Sequence, residues 1–281
     1  MKRFLLRKYL LFIVLALTWV SSYGQAYKGA LFIIGGGDRP PQLMKALIET
    51  AQLRPTDYIV VLPMATSIPE ESVAYFKSQI KNLCGNYITS FNFNREQADH
   101  HQAWIDSVRN ARLIYITGGD QNKFMKVVYG TRLYDAMHEA LRNGATISGT
   151  SAGAAVMSQI MITGEEREDK KGSFKDIKKN NTITSQGMGF ITGAIIDQHF
   201  IKRSRYNRLI SLLADHPNKK VVGIDESTAI IVKGKEARVV GENQVLVIAS
   251  PKNLKTFKNN KVAFKNANFS LFSEGDKFAI K

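Results

Sequence analysis

The chain has one cysteine, Cys84, so no disulfide can form within it. No H-E-x-x-H or comparable ligand spacing occurs, which argues against a metallopeptidase. Prolines number seven, no proline- or glycine-rich linker interrupts the chain and no segment repeats, so a single domain is expected. The N-terminal apolar run, Tyr9 to Val20, is shorter than the ~20 residues needed to cross a bilayer. Acidic residues are also scarce: 24 Asp and Glu against 39 Lys and Arg leave a formal net charge of +15. Such a field favours acidic surfaces, polyanions or acidic substrates. The lysines spread along the chain and thicken only near 170–179 and 252–265, without the basic stripe and interleaved aromatics of a nucleic-acid reader. No nucleic-acid partner is therefore expected.

Lys2, Arg3, Arg7 and Lys8 precede the apolar run, and Ser21 to Ala26 supplies small residues after it. That is the pattern of a signal peptide over residues 1–26, whose removal takes the net charge from +15 to +11. An exported, periplasmic or extracellular protein is expected, with no membrane contact once the signal is cleaved. Cys84 lies far from this region and follows Ile80 and Leu83 in a helix-like stretch, so it reads as a core thiol.

Residues 27–281, with 44% hydrophobic residues over the full chain, suffice for one large α/β domain. Buried-strand candidates lie at 30–34, 58–62, 87–91, 113–117, 145–148, 194–197 and 221–224. Helix-like segments lie between them at 42–53, 70–83, 98–108, 133–142 and 206–214. The alternation predicts a three-layer α/β sandwich, a mostly parallel central sheet with helices on both faces. In such sheets the site lies at the carboxyl ends of the strands.

The unusual residues fall at those ends. Thr146 and Ile147 read as strand and Ala154 to Met157 as helix, with Gly149-Thr-Ser151-Ala-Gly153 between them in the G-x-S-x-G form of a nucleophile elbow. The plainer alternative is a glycine-rich turn whose serine caps the helix. A nucleophile at Ser151 would find oxyanion donors in the N–H of Ala152 and in a second N–H from Gly118 or Gly119, which follow the fourth strand. Gln121, just beyond, reads either as a partner for a substrate amide or as a helix-start residue. An amidotransferase would carry cysteine where Ser151 stands. Gly35-Gly-Gly-Asp-Arg-Pro40 lacks the third glycine of a dinucleotide fingerprint, so a tight turn near substrate, or a plain turn, is expected there.

Five histidines compete for the role of base. His100 and His101 lie in a polar stretch, His138 inside a helix and His216 before a proline, whereas His199 ends the apolar run from Gly193. Asp197, Asp225 and Glu226 are the acids placed to orient it, and strand alternation lets at most one of the last two reach it. Arg203, Arg205 and Arg208 then crowd the start of a helix capped at Ser204 or a neighbour, where the dipole disfavours cations. They either pair with protein carboxylates or grip substrate carboxylates.

These segments together resemble the serine peptidases of the cyanophycinase and dipeptidase E group, which share a class I glutamine-amidotransferase-like fold. The likeness spans nearly all of residues 27–281 and is most specific in Asp197-Gln-His-Phe200 with its three arginines. It implies Ser151 as nucleophile, His199 as base and Glu226 as the orienting acid, with no metal or other cofactor. It implies a substrate pocket lined by Gln121, Asp197, Gln198, Arg203, Arg205 and Arg208. The implied reaction is hydrolysis of cyanophycin, a polyaspartate bearing arginine on each β-carboxyl, with release of β-aspartyl-arginine. Aspartyl or isoaspartyl dipeptides are the alternative substrates within that group, and a non-catalytic binding protein would lack one of the three triad residues. The charged segment 164–181 reads as a specificity lid or a solvated loop. Phe264, Phe269, Leu271 and Phe272 read as a sheet edge or as a subunit contact in a homodimer.

Overall fold

Five aliphatic, β-branched runs make the parallel heart of the main sheet: β1 (Ala30–Ile34), β2 (Tyr58–Leu62), β3 (Tyr87–Ser90), β4 (Leu113–Ile116) and β5 (Thr146–Thr150), in the order β3-β2-β4-β5-β1. The computed structural model that shows this describes residues 27–168 and 174–280; the segment 1–26, where a signal peptide is expected, lies outside the described residues. Helices α1 (Pro41–Ala51), α2 (Pro69–Ile80), α3 (Arg95–His100), α4 (Gln102–Arg109), α5 (Gln121–Val128) and α6 (Arg132–Arg142) form the crossovers. The expected helix over 98–108 is broken at His101, whose backbone leaves the helical region and whose ring accepts from the N–H of Trp104 to cap α4.

β5 turns into the short α7 (Ala152–Ala155), and the chain then forms the hairpin β6 (Ile160–Glu166) and β7 (Thr182–Gln186). Next come β8 (Ala194–Gln198), α8 (Tyr206–Asp215) and β9 (Lys220–Ile224), followed by β10 (Thr228–Lys233), β11 (Glu236–Gly241) and β12 (Val245–Lys252). A small ribbon of β13 (Lys255–Thr256) and β14 (Val262–Ala263) precedes β15 (Asn266–Phe272) and β16 (Lys277–Ala279).

The strands at 194–197 and 221–224 do not join the central sheet, as their place in the alternation suggested. β8 and β9 pair in parallel within a second sheet, β15-β12-β9-β8. The reason is edge occupancy. β1 is flanked by β5 on one side and by antiparallel β10 on the other, and β11 and β16 extend the sheet from there.

Both faces of the main sheet are covered, which is why its strands read as apolar runs rather than as alternation. On one face Phe32, Ile34, Ile59, Val61 and Tyr115 pack on Leu43 and Leu47 of α1 and Phe76 of α2. On the other, Leu31, Ile33, Val60, Ile114 and Ile147 meet the remaining crossover helices and Ile196, Val222 and Val245 of the second sheet. Leu209, Leu212 and Leu213 of α8 then cover the far side of that sheet. Each such side chain contributes about 1.5–3 kcal/mol on burial. Cys84 packs half-buried beside the α1–α2 core. At the edge of the second sheet Phe269 and Leu271 stay exposed.

Candidate active site

Ser151 takes φ 53° and ψ −109°, a left-handed conformation that costs a non-glycine residue of order 1–3 kcal/mol. Its neighbours hold it there. A Cβ at position 149 would stand 2.2 Å from the carbonyl oxygen of Gly153, and one at 153 would stand 2.5 Å from that of Ile116. The Ser151 N–H donates to Ile34 at 3.1 Å, which fastens the turn to β1. Ser151 stands at the N-cap position of α7, but its side chain bonds no helix N–H. Instead its Oγ lies 2.8 Å from His199 Nε2, and His199 Nδ1 lies 2.6 Å from Glu226 Oε1. With the ring neutral and its proton on Nδ1, Nδ1–H donates to Glu226 and Nε2 accepts from the serine hydroxyl.

His199 follows β8 with φ 50°, and its N–H donates to Gly35 at 2.7 Å. Glu226 follows β9. Burial is the main cause holding the His199 imidazole below its ordinary pKa; the Glu226 hydrogen bond opposes it, and Arg203 and Arg205 add to the lowering. The ring therefore stays neutral at pH 7, as a base requires. Asp225 points elsewhere and accepts the Lys202 N–H at 2.9 Å, bracing the segment after His199.

The glycines of the first loop serve the triad. A Cβ on Gly36 would overlap the His199 ring at 2.3 Å, and one on Gly37 would reach Glu226 at 2.7 Å. This role went unread in the sequence, where the only signal was three glycines at a strand end. Gly119 has φ +136°, and a Cβ there would meet the Ala65 carbonyl oxygen at 2.1 Å. Neither its N–H nor that of Ala152 has an internal partner among the described residues, so both are free for an oxyanion.

Beyond Ser151 lies a cavity of about 460 Å³ bordered by Gly119, Gln121, Gln198, Arg203, Arg205 and Arg208. The helix start falls at Arg205 rather than Ser204, without a side-chain cap. The three arginines divide their roles. Arg208 grips Asp197 through both ends of its guanidinium, with Nε to Oδ2 at 2.9 Å, and both residues are buried. Arg205 Nη1 donates to the Gln198 carbonyl at 2.6 Å and lies 3.6 Å from Asp197. Burial and the neighbouring Arg208 push Arg205 down to about 10, so it still carries its charge at neutral pH. Arg203 is exposed and makes no side-chain ion pair among the described residues.

Asp197 is therefore not part of the cavity wall: it is 1% exposed and already paired beneath it. Gln121 is a helix-start residue that also borders the cavity. It opens α5 behind the Asp120 cap, spends its Nε2 on the Ile162 carbonyl at 2.8 Å and leaves Oε1 for the cavity. Glu165 and Phe174, from the charged segment 164–181, border the same space; residues 169–173 of that segment lie outside the described residues. Buried Glu166 secures its ends by accepting from Phe174 N–H and from Asn181 Nδ2, each at 2.7 Å.

None of the other histidines borders the site. His101 caps and stacks on Trp104, His138 bonds Tyr27 and the Met188 carbonyl, and His100 and His216 lie outside the site. No group of three or more His, Cys, Asp or Glu suited to a metal occurs among the described residues, nor any helix long and apolar enough to cross a membrane.

The family model of peptidase family S51 matches residues 31–240, most of the chain and all three triad residues. The chain belongs to peptidase family S51. This S51 peptidase is 28% identical over 267 residues to the cyanophycinases of Trichormus variabilis and Nostoc sp., covering 91% of its own length and 87% of theirs. It is 26% identical over 195 residues to peptidase E of Haemophilus influenzae, covering 69% of this chain and 81% of that one. In fold it is similar to a crystal structure of a peptidase from an acI-B1 Actinobacterium, with a TM-score of 0.66, 22% identity and coverage of 91% and 98%. Those relatives agree with the three-layer α/β architecture and with peptide hydrolysis as the class of reaction.

Proposed function

We propose that this S51 peptidase is a serine-type exopeptidase that cleaves aspartyl bonds of cyanophycin or cyanophycin-like peptides and releases β-aspartyl-arginine. The observation that carries the reading is the Ser151, His199 and Glu226 relay opening onto an arginine-lined cavity. Ser151 Oγ attacks the scissile carbonyl while His199 Nε2 takes its proton. The N–H groups of Ala152 and Gly119 receive the oxyanion, and loss of one such donor costs about 10²–10³ in rate. The C–N bond then breaks as His199 returns the proton to the leaving amine. Water, activated by the same imidazole, hydrolyses the acyl-enzyme.

Each unit of the polymer carries a free carboxylate and a guanidinium. Arg203, without an ion-pair partner among the described residues, and Arg205 suit the carboxylate, while Arg208 and Asp197 act from below by holding Gln198 and the helix start in place. With Asp197 engaged, Glu165 is the exposed cavity carboxylate suited to the guanidinium. The pattern in residues 1–26 supports export, so the substrate would be met outside the cytoplasm. Aspartyl or isoaspartyl dipeptides are the second reading, which the resemblance to the dipeptidase E group supports.

The test is mass spectrometry of products after incubating the purified protein with cyanophycin, with Ser151→Ala as control. β-Aspartyl-arginine released by the parent alone supports substrate and mechanism together. A folded parent that releases none overturns the cyanophycin assignment, and aspartyl dipeptides become the next substrates.

A further inference from the structure

A second cavity, about 280 Å³, also opens from Ser151 and Gly119, but His199 lines it and does not line the arginine-rich one. Its wall includes Arg39, Tyr75, Thr117 and Thr150. The Arg39 guanidinium is clamped: it lies 4.7 Å from the Tyr75 ring centroid and 5.7 Å from that of Tyr115, and it donates to the Tyr115 hydroxyl. No carboxylate pairs with it among the described residues, and its Nε is buried without a partner. Thr117 is 3% exposed and its Oγ1 is likewise unpartnered. A held cation and a buried, unsatisfied hydroxyl beside a nucleophile are a cost to the empty protein that an anionic, hydrogen-bonding ligand would remove.

The side of the site follows from the chemistry. The proton that expels the amine comes from His199 Nε2, so the leaving group lies on the imidazole's side of Ser151. We propose that the Arg39 cavity is the leaving-group subsite and selects a carboxylate on the residue after the scissile bond, with Arg39 and Thr117 as its binding residues. The inference rests on acylation of Ser151 as proposed above. With cationic groups in both cavities, the protein demands carboxylates on both sides of the bond it cuts. That is a stricter condition than either cavity imposes alone.

The test uses two peptides that differ only in Asp or Asn after the scissile bond. The parent is expected to favour Asp in kcat/KM by about tenfold or more, the range of a charge-assisted hydrogen bond. Arg39→Gln should erase that ratio and Arg39→Lys restore part of it, whereas a ratio unchanged within about twofold in Arg39→Gln overturns the proposal. Thr117→Val should shrink the ratio while raising Tm, because it removes an unsatisfied buried hydroxyl; a raised Tm with an intact ratio counts against Thr117 as a binding residue. Calorimetry with Ser151→Ala keeps the question separate from catalysis. Tighter binding of aspartyl-aspartate than of aspartyl-asparagine, lost on adding Arg39→Gln, supports the subsite even if no substrate is turned over. Equal affinities for the two overturn it even if the parent is an active peptidase.

Discussion

Gly36→Ala is the substitution that most directly tests the geometry of the triad. The new Cβ would lie 2.3 Å from His199 Cε1, 2.4 Å from Nε2 and 2.8 Å from Nδ1. Ordinary contact begins near 3.4 Å, so the ring must retreat by about 1 Å from its 2.8 Å contact with Ser151. A displacement of about 1 Å costs roughly 10² in rate, or about 2.7 kcal/mol of activation free energy. Backbone strain adds to this, because φ at Gly36 is +113°. At about 1–3 kcal/mol that strain should lower Tm by roughly 2–12 °C in a domain of this size. The assay is the rate of Ser151 labelling by a fluorophosphonate, which reads the serine and imidazole couple without a substrate. Gly85→Ala is the control, since its Cβ meets nothing within 4 Å. A Gly36→Ala protein labelled within about threefold of the parent would refute the claim that this glycine exists to admit the imidazole.

The remaining predictions concern charge. Activity should rise with pH through a transition below the ~6.5 of a free imidazole and plateau above it, because burial depresses His199; a kcat/KM profile whose acid limb lies above 6.5 counts against this. His138 and His216 are also depressed, so the unfolded chain takes up protons first and stability should fall as pH drops below about 6.5, read as Tm against pH. Asp197→Ala leaves the Arg208 guanidinium buried and unpaired and should cost about 3–5 kcal/mol, whereas a Tm loss of less than about 2 °C would contradict the buried pair. Glu226→Gln should keep the fold and lower kcat by up to about 10⁴, since an amide no longer holds the imidazole in its productive tautomer; stopped assays against the parent check it.

The elbow was legible because the chemistry is local: Gly149, Ser151 and Gly153 act within one turn, and the pentapeptide carries the reason for its own shape. His199 was legible because it ends an apolar run, a signal of strand and strand end together. The choice between Asp225 and Glu226 was not legible from alternation, since both follow β9 rather than belonging to it. The second sheet was invisible for a related reason. β8 and β9 carry the same aliphatic pattern as β1 or β4, and the place beside β1 in the main sheet is taken by antiparallel β10. The division of labour among Arg203, Arg205 and Arg208 is a matter of depth across the turn that leads into α8, which spacing does not encode.

The split into two sheets explains the first loop. Ser151 stands at the end of β5 in the main sheet, whereas His199 and Glu226 follow β8 and β9 in the second, so the triad spans a seam. Residues 35–37 stitch it: Gly35 accepts from His199 N–H at 2.7 Å, and Gly36 accepts from Ser227 N–H at 3.0 Å. The Ser227 hydroxyl adds a bond to the Asp38 carbonyl at 3.0 Å. At Gly35 a side chain would strike the Asp225 carbonyl oxygen at 2.1 Å. The glycines therefore do two things with one property. Without a Cβ the loop reaches backbone partners on the other sheet, and the same missing atoms are the space that the imidazole and the carboxylate occupy. Any residue but glycine there would push apart the two sheets whose contact assembles the site.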